Sequence, residues 1–144
     1  VIVVGIDHSE GAKAALRFAL AEARLRQATL RAVHAWKFDY LGVPGIMGTL
    51  PPGEYEALHS AAEAALNATL KEVDNAKGVE VERRVVEGSP AAVLVEESRG
   101  ADLLVVGSRG LGGFAQLLLG SVSQQCAHHA ECPVMIVRSK PAHN

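Results

Sequence analysis

The chain has 144 residues, 49% of them hydrophobic, with 14 Lys and Arg against 16 Asp and Glu, a formal net charge of -2 and a pI near 6.3. That length and apolar content suit one domain with a substantial core, and the near balance of charge excludes the broad basic footprint that nucleic acid or an anionic membrane surface would require. Cys126 and Cys132 are too few and too close for the disulfide framework of a small secreted domain, and no apolar run approaches the ~20 residues that span a bilayer.

Val1 to Ile6 is continuously apolar, which suits a central parallel strand buried on both faces, and it stops at Asp7. It has no charged leader before it, so it does not read as a signal peptide, and a cytoplasmic protein is expected. Ser9 is placed to cap a helix over 12–26, where Ala12, Ala15, Leu16, Ala19, Leu20 and Ala23 recur at helical spacing. Most of that stripe is alanine, which lets a helix lie close to a sheet.

A second strand is expected over Thr29–Trp36. The stretch from Lys37 to Gly53 carries Pro44, Pro51 and Pro52 and reads as a long loop, of the length that usually serves function; a lid over a bound ligand is expected there. Glu54 to Ala76 reads as a long helix. Val79 to Val86 alternates at first between apolar and charged residues, the pattern of a strand with one wet face at a sheet edge. Ser89 as N-cap, Pro90 at the first helical position and Gly100 past the end bracket a helix over Pro90–Arg99. A buried strand over Asp102–Val106, a helix over Ser121–Ala130 and a strand over Pro133–Arg138 complete the chain.

Strict alternation of strands and helices implies an α/β three-layer sandwich, a parallel five-stranded sheet with right-handed crossovers. The wholly apolar strands belong in the middle and the half-polar third strand at an edge, which fits the order 3-2-1-4-5. In that order Asp7 and Gly107 face each other across the switch point, where ligands of open α/β sheets bind.

The chemistry concentrates after the fourth strand, in Gly107-Ser108-Arg109-Gly110-Leu111-Gly112-Gly113 and then Gly120-Ser121-Val122. Glycines let backbone approach an anion, and a helix N-terminus offers unpaired N–H groups and a positive dipole end. Gly107, two residues, Gly110, nine residues, Gly120 and the hydroxyl of Ser121 form a spacing that closely resembles the nucleotide signature of the universal stress protein family, and the resemblance runs from Val1 to Arg138.

The resemblance implies a Rossmann-like, adenine-nucleotide-binding domain that takes ATP, with or without Mg2+, as a regulatory ligand. It places Asp7 beside ribose and adenine, the backbone of Ala35 on adenine, and Val106 and Gly107 near base and ribose. Gly110, Gly120, Ser121 and Val122 would line the phosphates, with Arg109 nearby. It further implies a homodimer through the strand at 133–138, whose apolar residues would otherwise form an exposed edge.

Bland readings stand beside these. Asp7 is also a ready helix cap, isolated glycines after strands make turns, and Arg109 and His8 are ordinary surface residues. Gly110, Gly112 and Ala115 satisfy G-x-G-x-x-A, but after the fourth strand instead of the first, and no P-loop motif occurs. Cys126, His128, His129 and Cys132 fit no common zinc spacing, so no metal site is expected. No catalytic constellation is assignable from spacing. A slow ATP hydrolase or nucleotidyl transferase and an interaction module with a vestigial pocket remain the rival readings.

Overall fold

The computed structural model describes residues 1–37, 53–73, 76–108 and 119–139. The expected lid, apart from Lys37 and Gly53 at its ends, and the motif residues Arg109, Gly110, Gly112 and Gly113 lie outside the described residues. In chain order the elements are β1 (Ile2–Gly5), α1 (Glu10–Arg26), β2 (Leu30–Trp36), α2 (Glu54–Val73), β3 (Val81–Glu87), α3 (Pro90–Glu97), β4 (Leu103–Gly107), α4 (Ser121–His129) and β5 (Val134–Val137). The sheet is parallel throughout, in the order β3-β2-β1-β4-β5 that the burial pattern of the strands implies.

Local signals set most boundaries. The Ser9 hydroxyl accepts the Ala12 N–H at 3.0 Å and starts α1, and Gln27 ends it in the left-handed region at φ 52°. Ser89 holds the N-cap position of α3 by its backbone conformation, while its hydroxyl makes no capping bond; Pro90 follows at the first helical position. The third strand begins later than its alternation suggests. Val79 N–H donates to the Ala76 carbonyl, so a turn occupies the approach, with Gly78 at φ 82°.

The sheet divides two cores. α1 and α2 cover one face, where Leu16, Leu20 and Leu66 pack on Ile2, Val4, Leu30 and Val105. The other face carries α3 and α4, with Val93, Leu94 and Cys126 on Val3, Val33, Leu104 and Val106. The side chains of Ile2, Val4, Leu104 and Val105 are wholly excluded from solvent, the expected fate of strands covered on both sides. Among the described residues no helix is long and apolar enough to cross a membrane.

Strand lengths position the crevice. Pairing of β1 with β4 stops at Val4 opposite Val105, whereas β2 and β3 remain paired to Trp36 opposite Glu87, and β4 and β5 to Gly107 opposite Val137. The central strand ends first. Its neighbours on both sides therefore overhang a gap at the point where strand order reverses.

Candidate functional site

On one bank of the gap, hydrogen bonding fixes which way each β2 residue faces. The Val33 carbonyl accepts the Ile6 N–H on the β1 side at 2.8 Å, and the Trp36 carbonyl accepts the Gly88 N–H on the β3 side at 2.8 Å. Alternation along a strand then directs both the N–H and the C=O of Ala35 towards the β1 side, beyond the last paired residue, Gly5. One donor and one acceptor thus lie side by side in the plane of the sheet, facing the gap. The Ile6 carbonyl, the next rung of the ladder, meets His34 Nδ1 at 2.9 Å; a carbonyl only accepts, so Nδ1 carries the proton. The ring of His8 stands beside that of His34, centroids 5.7 Å apart and tilted by 58°.

Asp7, half-buried two residues past the end of β1, works locally. Its Oδ1 accepts the N–H of Ser9 at 2.8 Å and also the Ser9 hydroxyl, while Ser9 in turn caps α1. Ser9 is the cap, and Asp7 orients it.

The opposite bank is built by close approach. A Cβ on Gly107 would stand 2.8 Å from the carbonyl carbon and oxygen of Gly11 and 3.2 Å from its Cα, so the end of β4 and the first turn of α1 touch backbone to backbone. Packing alone therefore requires glycine at 107. Beyond it, Ser108 N–H donates to the Val137 carbonyl at 2.8 Å, and the Ser108 carbonyl accepts the Gly120 N–H at 2.6 Å and the buried Ser123 hydroxyl at 2.9 Å. The same hydroxyl lies 3.0 Å from the Gly120 carbonyl. These bonds seat the start of α4 against the end of β4.

They also alter one expected role at the level of atoms. With its N–H donated to Ser108, Gly120 has none to offer a phosphate; as N-cap, with φ -75° and ψ 168°, it instead leads into the first turn of α4. There the N–H groups of Ser121, Val122 and Ser123 have no acceptor within the helix. Ser121 is exposed, Val122 half-buried and Val106 buried beneath them. The structure thus brings Asp7, Ala35, Val106, Gly107, Gly120, Ser121 and Val122 to the carboxyl rim of one sheet.

His34, Ser108, Ser123 and Gly11 are structural participants that spacing did not single out. Only Ser123 left a trace, a small polar residue three positions after Gly120 on a helix whose other buried residue is Cys126. Burial, with a smaller contribution from Cys132, pushes the Cys126 thiol up to about 11. Among the described residues no three His, Cys, Asp or Glu side chains form a group able to hold a metal ion. A separate cavity of about 330 Å3 lies along the β3 edge, lined by His59, Glu63, Asn67 and Arg83 among others, two strands away from the gap.

Comparison with known proteins agrees with this architecture. The universal stress protein family matches residues 1–138. A universal stress protein of Mycolicibacterium smegmatis is 39% identical over 139 residues, which is 96% of this chain and 46% of the relative. The chain spans about half the length of the curated relatives it matches. Among solved structures, a universal stress protein in complex with cAMP is 30% identical with a TM-score of 0.61, covering 96% of each chain. A family protein from Arabidopsis thaliana with AMP bound shares the fold at 23% identity and a TM-score of 0.59, covering 99% of this chain and 96% of its own. The chain belongs to the universal stress protein family.

Proposed function

We propose that residues 1–144 are one universal stress protein domain that binds an adenine nucleotide, ATP foremost, across the gap between β1 and β4 as a regulatory ligand. The observation that carries this reading is the Ala35 edge. Adenine presents an N6 amino donor beside the N1 acceptor, which matches a backbone C=O and N–H in one plane; guanine presents the reverse, an O6 acceptor beside an N1–H donor. In this reading Asp7 accepts from ribose hydroxyls, and Val106 and Gly107 flank base and sugar. The first-turn N–H groups of α4 and the Ser121 hydroxyl face the phosphates, where the positive end of the helix dipole favours charge. Arg109 and Gly110 belong to this reading through the motif spacing, and Mg2+ would be held by the phosphates themselves. The solved relative with cAMP supports the adenine half of the assignment.

Calorimetric titration with AMP, ATP and GTP, beside a phosphate-release assay, tests the proposal. Adenine nucleotides should bind at least about a hundredfold tighter than GTP, the discrimination expected when a wrong base leaves two buried polar groups unpaired. Ser121→Ala should lower ATP affinity by about ten- to a hundredfold, as loss of a bond to a charged group does. Turnover should stay far below the ~10 per second typical of enzymes. Equal binding of GTP would remove the Ala35 edge from the argument, and brisk phosphate release would move the protein into the hydrolase class.

We further propose that the domain works in the cytoplasm as a homodimer through β5. Val137 accepts towards β4, so alternation turns the N–H and C=O of Val134 and Ile136 outward, along an edge whose side chains are all apolar and whose Met135 is 39% exposed. Ile136→Lys should give monomers by light scattering. A wild-type protein that is monomeric at high concentration would overturn this part.

A further inference from the structure

The parallel ladder between β1 and β2 is broken off one rung early, and a side chain stands at the break. Ile6 N–H donates to the Val33 carbonyl, so the ladder would continue from Ala35 N–H to the Ile6 carbonyl. That bond is not formed. The Ile6 carbonyl meets His34 Nδ1 instead, at 2.9 Å. An oxygen has two lone pairs and could accept from both by count, so the direction in which the carbonyl is turned decides the matter. His34 is itself held in place, half-buried on β2 opposite Val85, with the His8 ring against it.

We propose that His34 is a positioning residue that keeps the base-recognising edge of β2 open: by taking the Ile6 carbonyl, its imidazole prevents the strand from closing on Ala35 and leaves the Ala35 N–H and C=O to a ligand. The purpose assigned to that edge rests on the adenine reading above; the hydrogen bonding does not. A hydrophobic residue at 34 would keep the strand, since β-branched side chains suit it, yet would release the Ile6 carbonyl to Ala35. An asparagine would restore a donor close to the position of Nδ1.

Amide exchange of Ala35, followed by NMR in the nucleotide-free wild type and in His34→Val and His34→Asn, reads the ladder directly. Exchange in the wild type should be fast. In His34→Val it should slow by about tenfold or more as the rung forms, and His34→Asn should return it towards the wild-type rate. AMP titration of the same proteins should show about a tenfold loss for His34→Val and recovery for His34→Asn, because the ligand must now displace an internal hydrogen bond. A protected Ala35 amide in the wild type overturns the proposal without need of any variant, as does equal exchange in all three proteins. Unchanged AMP affinity in a His34→Val protein whose rung has formed overturns the link to binding. A wild type that binds no nucleotide overturns the adenine reading alone, and the exchange rates then still decide whether His34 holds the edge open.

Discussion

The two banks of the gap both present backbone, by opposite means. On the β2 bank the polar edge exists because β1 ends early and its neighbour runs on; the Ala35 side chain stands perpendicular to the sheet and takes no part. On the β4 bank the backbone is drawn together, Gly107 against Gly11 and the Ser108 carbonyl against Gly120 and Ser123, with no room for a Cβ at 107. An edge left by a missing neighbour tolerates side chains. A junction made by contact does not.

The sharpest way to break this contrast is Gly107→Val. Its Cβ meets main chain, which cannot rotate away, so the protein should lose about 3 kcal/mol or more of stability in chemical denaturation. A folded variant of wild-type stability would show that the two glycines part easily. Next in size is Gly120→Glu, which adds a carboxylate at the start of α4 where phosphate is expected; ATP affinity should fall by more than about a hundredfold with circular dichroism unchanged. Retained binding would take this bank out of the site.

Ala35→Pro tests the other bank. It removes an N–H that faces the gap and leaves the β3 ladder intact, since that ladder uses the even-numbered residues of β2, so AMP affinity should drop by about ten- to a hundredfold in a folded protein. A smaller effect comes from pH. The Cys126 thiol titrates at about 11 in the folded protein against 9.0 unfolded, so the unfolded state loses its proton first as pH rises. The stabilisation this implies is complete below pH 9 and lost between 9 and 11, about 1 kcal/mol of it by pH 10. Denaturation midpoints of wild type and Cys126→Ala, measured across that range, should diverge from parallel only there. Smallest of all is Ala35→Ser, which keeps both backbone groups and should bind AMP within about threefold of wild type.

The sheet order was legible because each strand declares its coverage: β1 and β4 read as unbroken apolar runs, while Glu82, Arg83 and Arg84 mark β3 as an edge. The start of α1 was legible from Ser9 and its alanine stripe. At the site, composition and spacing pointed to the rim and to the glycines but not to what each atom does. Gly107 looks the same in sequence whether a ligand or Gly11 lies against it, and the two are far apart along the chain. Gly120 gives its N–H to Ser108 across the β4–α4 connection, and His34 donates to the carbonyl of Ile6, just past β1; bonds between separate segments are not encoded by the residue pattern within either one.

The clasp at Ser108 bears on how such a domain can diversify. Gly120 N–H and the Ser123 hydroxyl hold the chain on one side of residues 109–119, and the Ser108 carbonyl with the Val137 contact holds it on the other, so both ends of that segment are anchored to the scaffold independently of what lies between. The entropy of closing a segment grows only with the logarithm of its length, about 0.6 kcal/mol for each doubling. Insertions, deletions and wholesale replacement between the anchors are therefore inexpensive to the sheet. Variation in that stretch is thereby uncoupled from the β4–α4 framework, which keeps its own hydrogen bonds whatever residues the segment carries.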